Sequence, residues 1–162
     1  MNTPDWFKKS IKQIIKKERE LKQKVLEEER KYKEMVRKHL LEEKRMKDKK
    51  IALSSTIFEW KNKFLKTKEG RILLKRNPRL EVYSGGWGHE IPRYGSFGCW
   101  SRIYINQKNI EYEAGYKWMG METRIFSKPE EMASVLDFKY LKAFVERIKT
   151  KKIYKDIIAY NS

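Results

Sequence analysis

Apolar residues in the first fifty positions recur every three or four residues, the spacing of one helix face. A heptad frame collects Phe7, Ile11, Ile14, Glu18, Leu21, Val25, Glu28, Tyr32, Met35, His39, Glu42 and Met46, and eight of these twelve are apolar. Glu18, Glu28, His39 and Glu42 interrupt the seam, and Ile15, Leu26, Val36, Leu40 and Leu41 widen it. A strict coiled coil would be cleaner. Thr3 suits an N-cap, Pro4 the first helical position, and Asp5 the positive end of the helix dipole. One helix of about 45 residues is expected. A helix this long with a broken apolar stripe seldom stands alone. The expected contact residues are Ile14, Leu21, Val25, Tyr32 and Met35, facing a second copy, a partner protein or the chain's own domain.

At Ile51–Ser55 the composition shifts. Thr56 and Glu59 have capping-box spacing and predict a new helix with Ile57, Trp60 and Phe64 on its buried stripe. Gly70 is expected to bend or end it, and Asn77-Pro78 closes the helical region. The period then becomes two: Leu80, Val82 and Ser84 alternate with Glu81 and Tyr83 as a first strand. A glycine- and aromatic-rich loop, YSGGWGHEIPRYGSFGCW, spans residues 83–100. Two further strands flank Gln107-Lys108 as a hairpin. Pairing Ile105 with Ile110 sets Ile103 opposite Tyr112, Ser101 opposite Ala114 and Cys99 opposite Tyr116 on one face. On the other face, Arg102 meets Glu113 and Tyr104 meets Glu111. That register gathers core residues on one side and matches opposite charges across the strands. METRIF (121–126) is a fourth strand, antiparallel to the third. Ser127 and Glu130 predict a capping box, and Asp137 caps a helix with Phe138, Leu141, Val145 and Ile148 on one face. Residues 151–160 form a last short helix or strand. The fold class is therefore α+β: a long, coiled-coil-like helix over 1–50, then a compact domain over 51–162. That domain holds a small antiparallel sheet of about four strands with helices packed on one face.

Charge changes the picture most. Lys and Arg number 39 against 22 Asp and Glu, a net +17 over 162 residues. Such an excess attracts polyanions, whether nucleic acid or an acidic or nucleoprotein partner. The densest stretch holds Lys61, Lys63, Lys66, Lys68, Arg71, Lys75, Arg76 and Arg79 against Glu69 alone. No apolar run reaches the length of a membrane span. Trp6 and Phe7 ahead of a basic run would suit an interfacial anchor, but helix packing is the reading taken and no membrane partner is expected. The opening residues lack the apolar core of a signal peptide, and the one cysteine, Cys99, cannot form an internal disulfide. A cytoplasmic setting is expected.

Catalytic groups are sparse. His39 sits in the helix seam, and His89 has only the adjacent Glu90 as a companion. One Cys and two distant His do not make a zinc site. Glu111, Glu113 and Glu122 could cluster for a two-metal nuclease, yet Arg102, Lys117 and Arg124 share the region and favour salt bridges. The loop glycines lack the Gly-Lys-Ser/Thr ending of a phosphate cradle. No enzyme activity, metal or cofactor is expected. The aromatics Trp87, Tyr94 and Trp100, with Arg93, suit stacking on bases. The expected function is non-enzymatic nucleic-acid binding, with phosphate contacts from the basic helix and stacking from the loop. The alternative is a protein-binding adaptor or inhibitor of phage or mobile-element accessory type, docking through its long helix and domain. DNA and RNA are not distinguished, and self-pairing of the helix stays open.

Overall fold

No glycine or proline lies between Asp5 and Glu69, and the first helix runs through that interval almost to its end. A computed structural model describes residues 2–85, 99–116 and 120–162. Helix α1 spans Asp5–Lys66, 62 residues. The expected break near residues 51–55 is absent. Ile51, Ala52 and Leu53 continue the helix, and Thr56 Oγ1 donates to the Ala52 carbonyl (3.1 Å) from within it rather than capping a new one. The chain divides into two compact units, Met1–Lys44 and Arg45–Ser162. In the first, residues 5–44 are helix and residues 2–44 are exposed. The second holds the core.

The helix stops at Thr67, not at Gly70. Thr67 Oγ1 donates to the Phe64 carbonyl (2.6 Å) and accepts from Gly70 N (3.1 Å), closing α1 and capping α2, Lys68–Arg76. The turn brings α2 so close that a Cβ at residue 70 would collide with the Phe64 carbonyl oxygen. Glycine is needed there for space, not for a left-handed backbone.

Four strands follow: β1 (Leu80–Ser84), β2 (Cys99–Ile105), β3 (Ile110–Tyr116) and β4 (Gly120–Phe126). They form one antiparallel sheet in the order β1-β2-β3-β4. The β2–β3 register is the one the side-chain pattern predicts, from Cys99 opposite Tyr116 to Ile105 opposite Ile110. Asn106 makes the hairpin turn: its Oδ1 accepts from Lys108 N (2.9 Å) and Asn109 N (2.8 Å). Alternation fails in β1. The register slips between Glu81 and Tyr83, so Val82 and Tyr83 are both buried and Tyr83 is not on the solvent side. This is a β-bulge, one extra residue re-aiming those that follow.

Three helices complete the unit: α3 (Pro129–Val135), α4 (Phe138–Lys149) and α5 (Lys152–Tyr160). Asp137 Oδ1 caps α4 through Tyr140 N (2.7 Å) as expected. Ser127 does not cap α3. Lys128 is the N-cap, without a side-chain bond, and Glu131 reaches back to Ser127 N (3.2 Å). One face of the sheet, including Ile103, Ile105, Ile110, Tyr112 and Phe126, packs with Ile57, Trp60, Phe64, Met132, Leu141, Phe144 and Ile157 from the helices. The other face carries Trp100, Arg102, Tyr104, Glu111, Glu113 and Gly115. The fold is α+β.

Candidate nucleic-acid interface

On α2 the positions i, i+3 and i+7 hold Lys68, Arg71 and Lys75, and Arg76 lies beside them. All four are exposed, while Gly70 is buried opposite them and Leu73 and Leu74 pack on the core. Lys63 and Lys66, in the last turn of α1, are exposed as well. Among the described residues none of these six cations is in an ion pair. Lys63, Lys66, Lys75 and Arg76 also sit where a cation favours the negative end of a helix dipole, worth about 0.3–1 kcal/mol each. That accounts for their placement at helix ends but leaves their charge open to solvent.

Two residues expected in this group are engaged elsewhere. Lys61 is 2% exposed, its Nζ 5.8 Å from the Phe58 ring centroid, so almost all of the side chain is spent on packing. The helix turn that buries Trp60 and Phe64 carries it inward. Burial holds the Lys61 pKa below its ordinary 10.5. The folded state therefore releases this proton before the unfolded state does. Stability from this residue rises with pH between the lowered value and 10.5, and the burial penalty is present in full below that interval. Lys61→Met should stabilise the protein at pH 7, because it removes the burial penalty on the charged amine. Denaturant titrations of both proteins from pH 7 to 10.5 should show the difference shrinking as pH rises. A constant difference would mean that Lys61 is solvated.

Arg79 is half-buried and internally satisfied. Its guanidinium donates to Glu111 (2.7 Å) and Glu113 (3.4 Å) and lies 3.7 Å from the Tyr104 ring centroid. Burial works against its charge, but the Glu111 bond, with Glu113 close by, overrides this and holds its pKa above the ordinary value. Trp100 is 40% exposed on the outer sheet face. Its ring covers Gly115, where any Cβ would overlap it, and Arg102 Cζ lies 4.8 Å from its centroid. Trp87, Arg93 and Tyr94, with His89 and Glu90, lie outside the described residues.

The carboxylates do not assemble. Glu111 and Glu113 serve Arg79, whereas Glu122 pairs with Arg124 (2.7 Å) on the opposite face of the sheet. Among the described residues no group of three His, Cys, Asp or Glu could hold a metal ion. An apolar cleft of about 340 Å³ is lined by Phe64, Leu73, Tyr154 and Ile157, with Thr67 and Glu69 as its polar members.

The chain matches no protein-family model, no curated protein and no solved structure. Function has to be read from its own surfaces.

A second cationic run was missed by sequence reasoning. Lys149, Lys151, Lys152 and Lys155 are exposed and in no ion pair among the described residues, while Arg147 is held by Asp156 (2.7 Å). The signal in the sequence is the run KTKK at 149–152, whose last two residues open the segment expected as a short helix or strand. In the first unit, Ile14, Leu21, Val25, Tyr32 and Met35 are all exposed. Along this helix Arg30 joins Glu27 (2.7 Å) and Glu34 (2.9 Å), and His39 meets Glu43 (3.0 Å). The Arg30 hydrogen bond holds the Glu27 pKa below its ordinary value. Among the described residues no helix is long and apolar enough to cross a membrane.

Proposed function

We propose that this chain is a non-enzymatic nucleic-acid-binding protein that grips the phosphate backbone through α2 and the end of α1. The observation that carries the reading is a set of six exposed cations in no ion pair among the described residues: Lys63, Lys66, Lys68, Arg71, Lys75 and Arg76. A cationic face without carboxylate partners releases phosphate counterions on binding, which makes affinity salt-dependent and largely blind to sequence. Residues 45–162 carry 25 Lys and Arg against 13 Asp and Glu, so the wider field also attracts a polyanion. Trp100 contributes its exposed portion to base stacking. Lys61 and Arg79 drop out of the contact set, the first by burial and the second by its two glutamates. A cytoplasmic location accords with this role.

The test is fluorescence anisotropy with labelled single- and double-stranded DNA and RNA, at 50 to 200 mM salt. Six phosphate contacts correspond to a loss of about 10³-fold across that range. A loss of no more than twofold would rule the reading out.

The exposed seam of α1 supports a second reading, an adaptor or accessory protein that docks a partner through Ile14, Leu21, Val25, Tyr32 and Met35. Binding there rests on apolar burial and survives high salt. Val25→Asp with Met35→Asp should then abolish any salt-resistant complex seen in pull-downs, while leaving the thermal melt of the folded unit within about 0.5 kcal/mol. Retention of that complex by the double variant removes the seam as the docking surface.

A further inference from the structure

The two edges of the sheet are treated differently. At β1 the side-chain amide of Asn161 acts as a strand peptide would: its Oδ1 accepts from Glu81 N (3.1 Å) and its Nδ2 donates to the Glu81 carbonyl (2.9 Å). Helix α5 packs against that strand, and the edge is closed. At the other end β4 pairs with β3 alone among the described residues. It runs for seven residues, and Met121 (63% exposed) and Ile125 (57%) stand out on the outer face.

The order of side chains on β4 is self-complementary. Around Thr123 the chain reads Met121, Glu122, Thr123, Arg124, Ile125: apolar, acidic, centre, basic, apolar. We propose that β4 pairs antiparallel with β4 of a second copy about a two-fold axis at Thr123, joining the two sheets into one of eight strands. In that register Glu122 faces Arg124 of the second copy, and Arg124 faces its Glu122. Met121 meets Ile125 of the second copy on the outer face, and the reverse. Neighbouring registers fail. Centring on Glu122 sets that carboxylate against itself and Gly120 against Arg124. Centring on Arg124 sets guanidinium against guanidinium, and a parallel in-register pairing stacks every charge on its like. The intrastrand Arg124–Glu122 contact (2.7 Å) shows both groups at the same face of the edge, ready to exchange partners. A strand merely guarded against aggregation needs only a like charge or a proline. Opposite charges placed symmetrically about one residue do more: they specify a partner and a register. The pairing does not depend on the nucleic-acid reading.

Sedimentation equilibrium on the full chain over a hundredfold concentration range tests it. The wild type should dimerise. Glu122→Arg and Arg124→Glu should each weaken the dimer at least tenfold on their own, because each sets like charges opposite one another twice. Mixed one to one, the same two variants should dimerise with each other. Positions 122 and 124 are then both basic in one chain and both acidic in the other, so each cross-strand pair joins opposite charges. The double swap Glu122→Arg/Arg124→Glu keeps the intrastrand pair and should dimerise as the wild type does, which covers the case in which a single variant fails to fold. A wild type that stays monomeric, single variants that dimerise like the wild type, or a folded mixture that stays monomeric would each overturn the proposal. The second of those outcomes places any dimer at another surface, such as the α1 seam.

Discussion

Reversing four charges on α2, Lys68→Glu, Arg71→Glu, Lys75→Glu and Arg76→Glu together, should weaken nucleic-acid binding by more than a hundredfold at 100 mM salt. All four side chains are exposed, on the face of α2 turned away from Leu73 and Leu74. Removing one phosphate contact should lower the slope of log affinity against log salt by about 0.9. The reversal also adds repulsion, so its effect exceeds that of neutralisation alone. None of the four forms an ion pair among the described residues, so no carboxylate is left stranded; the reversed helix-dipole contacts at Lys75 and Arg76 should lower stability by about 1–2 kcal/mol and leave the protein folded. Anisotropy titrations at three salt concentrations, with circular dichroism as the folding control, measure both quantities. A matched set of reversals at Lys149, Lys151, Lys152 and Lys155 separates the two cationic runs. If the α2 variant binds within threefold of the wild type, α2 is not the contact face. A hundredfold loss only in the second set moves the interface to the α4–α5 junction.

Much of the fold was legible because side-chain period and charge act locally. The β2–β3 register could be read from Arg102 opposite Glu113 and Ile103 opposite Tyr112, since slipping one strand by a residue would turn its charged side chains into the core. Asp137 was legible as a cap because its carboxylate bonds an amide three residues on. The failures share a different cause. Thr56 has capping spacing, yet whether a threonine caps or bonds back inside a helix depends on whether the chain before it is already helical. The bulge at Val82 answers the demand that both Val82 and Tyr83 be buried, a demand made by residues far along the chain: the Tyr83 ring lies 4.9 Å from Phe144 and 5.1 Å from Tyr140. The candidate interface was legible as a count of charges but not as a surface. Lys61 and Arg79 look like their neighbours in the sequence, and only the packing of Trp60 and the register of Glu111 and Glu113 remove them from the contact set.

That same long-range packing makes Phe144 the residue whose truncation should cost the most. Its side chain is fully buried on α4. Its ring meets Trp60 of α1 edge-on at 6.1 Å and Tyr83 of β1 at 4.9 Å, so it joins three elements that no local signal brings together. Phe144→Ala removes these contacts and leaves a cavity that a helix, two rings and a bulged strand cannot readily collapse. The expected cost is about 3–5 kcal/mol, a large fraction of the roughly 5–15 kcal/mol that a domain of this kind has in total. Urea unfolding followed by tryptophan fluorescence should show the midpoint fall with little change in slope. Two controls fix the interpretation. Ile158→Ala, on the exposed side of α5, and Leu21→Ala, in the exposed seam of α1, should each change stability by about 0.5 kcal/mol or less. A Phe144→Ala protein that unfolds within about 1 kcal/mol of the wild type would mean that α4 does not clamp α1 to the sheet. In that case the turn at Thr67, and the cationic face it presents, would be held by the Thr67 hydroxyl and the close contact at Gly70 instead.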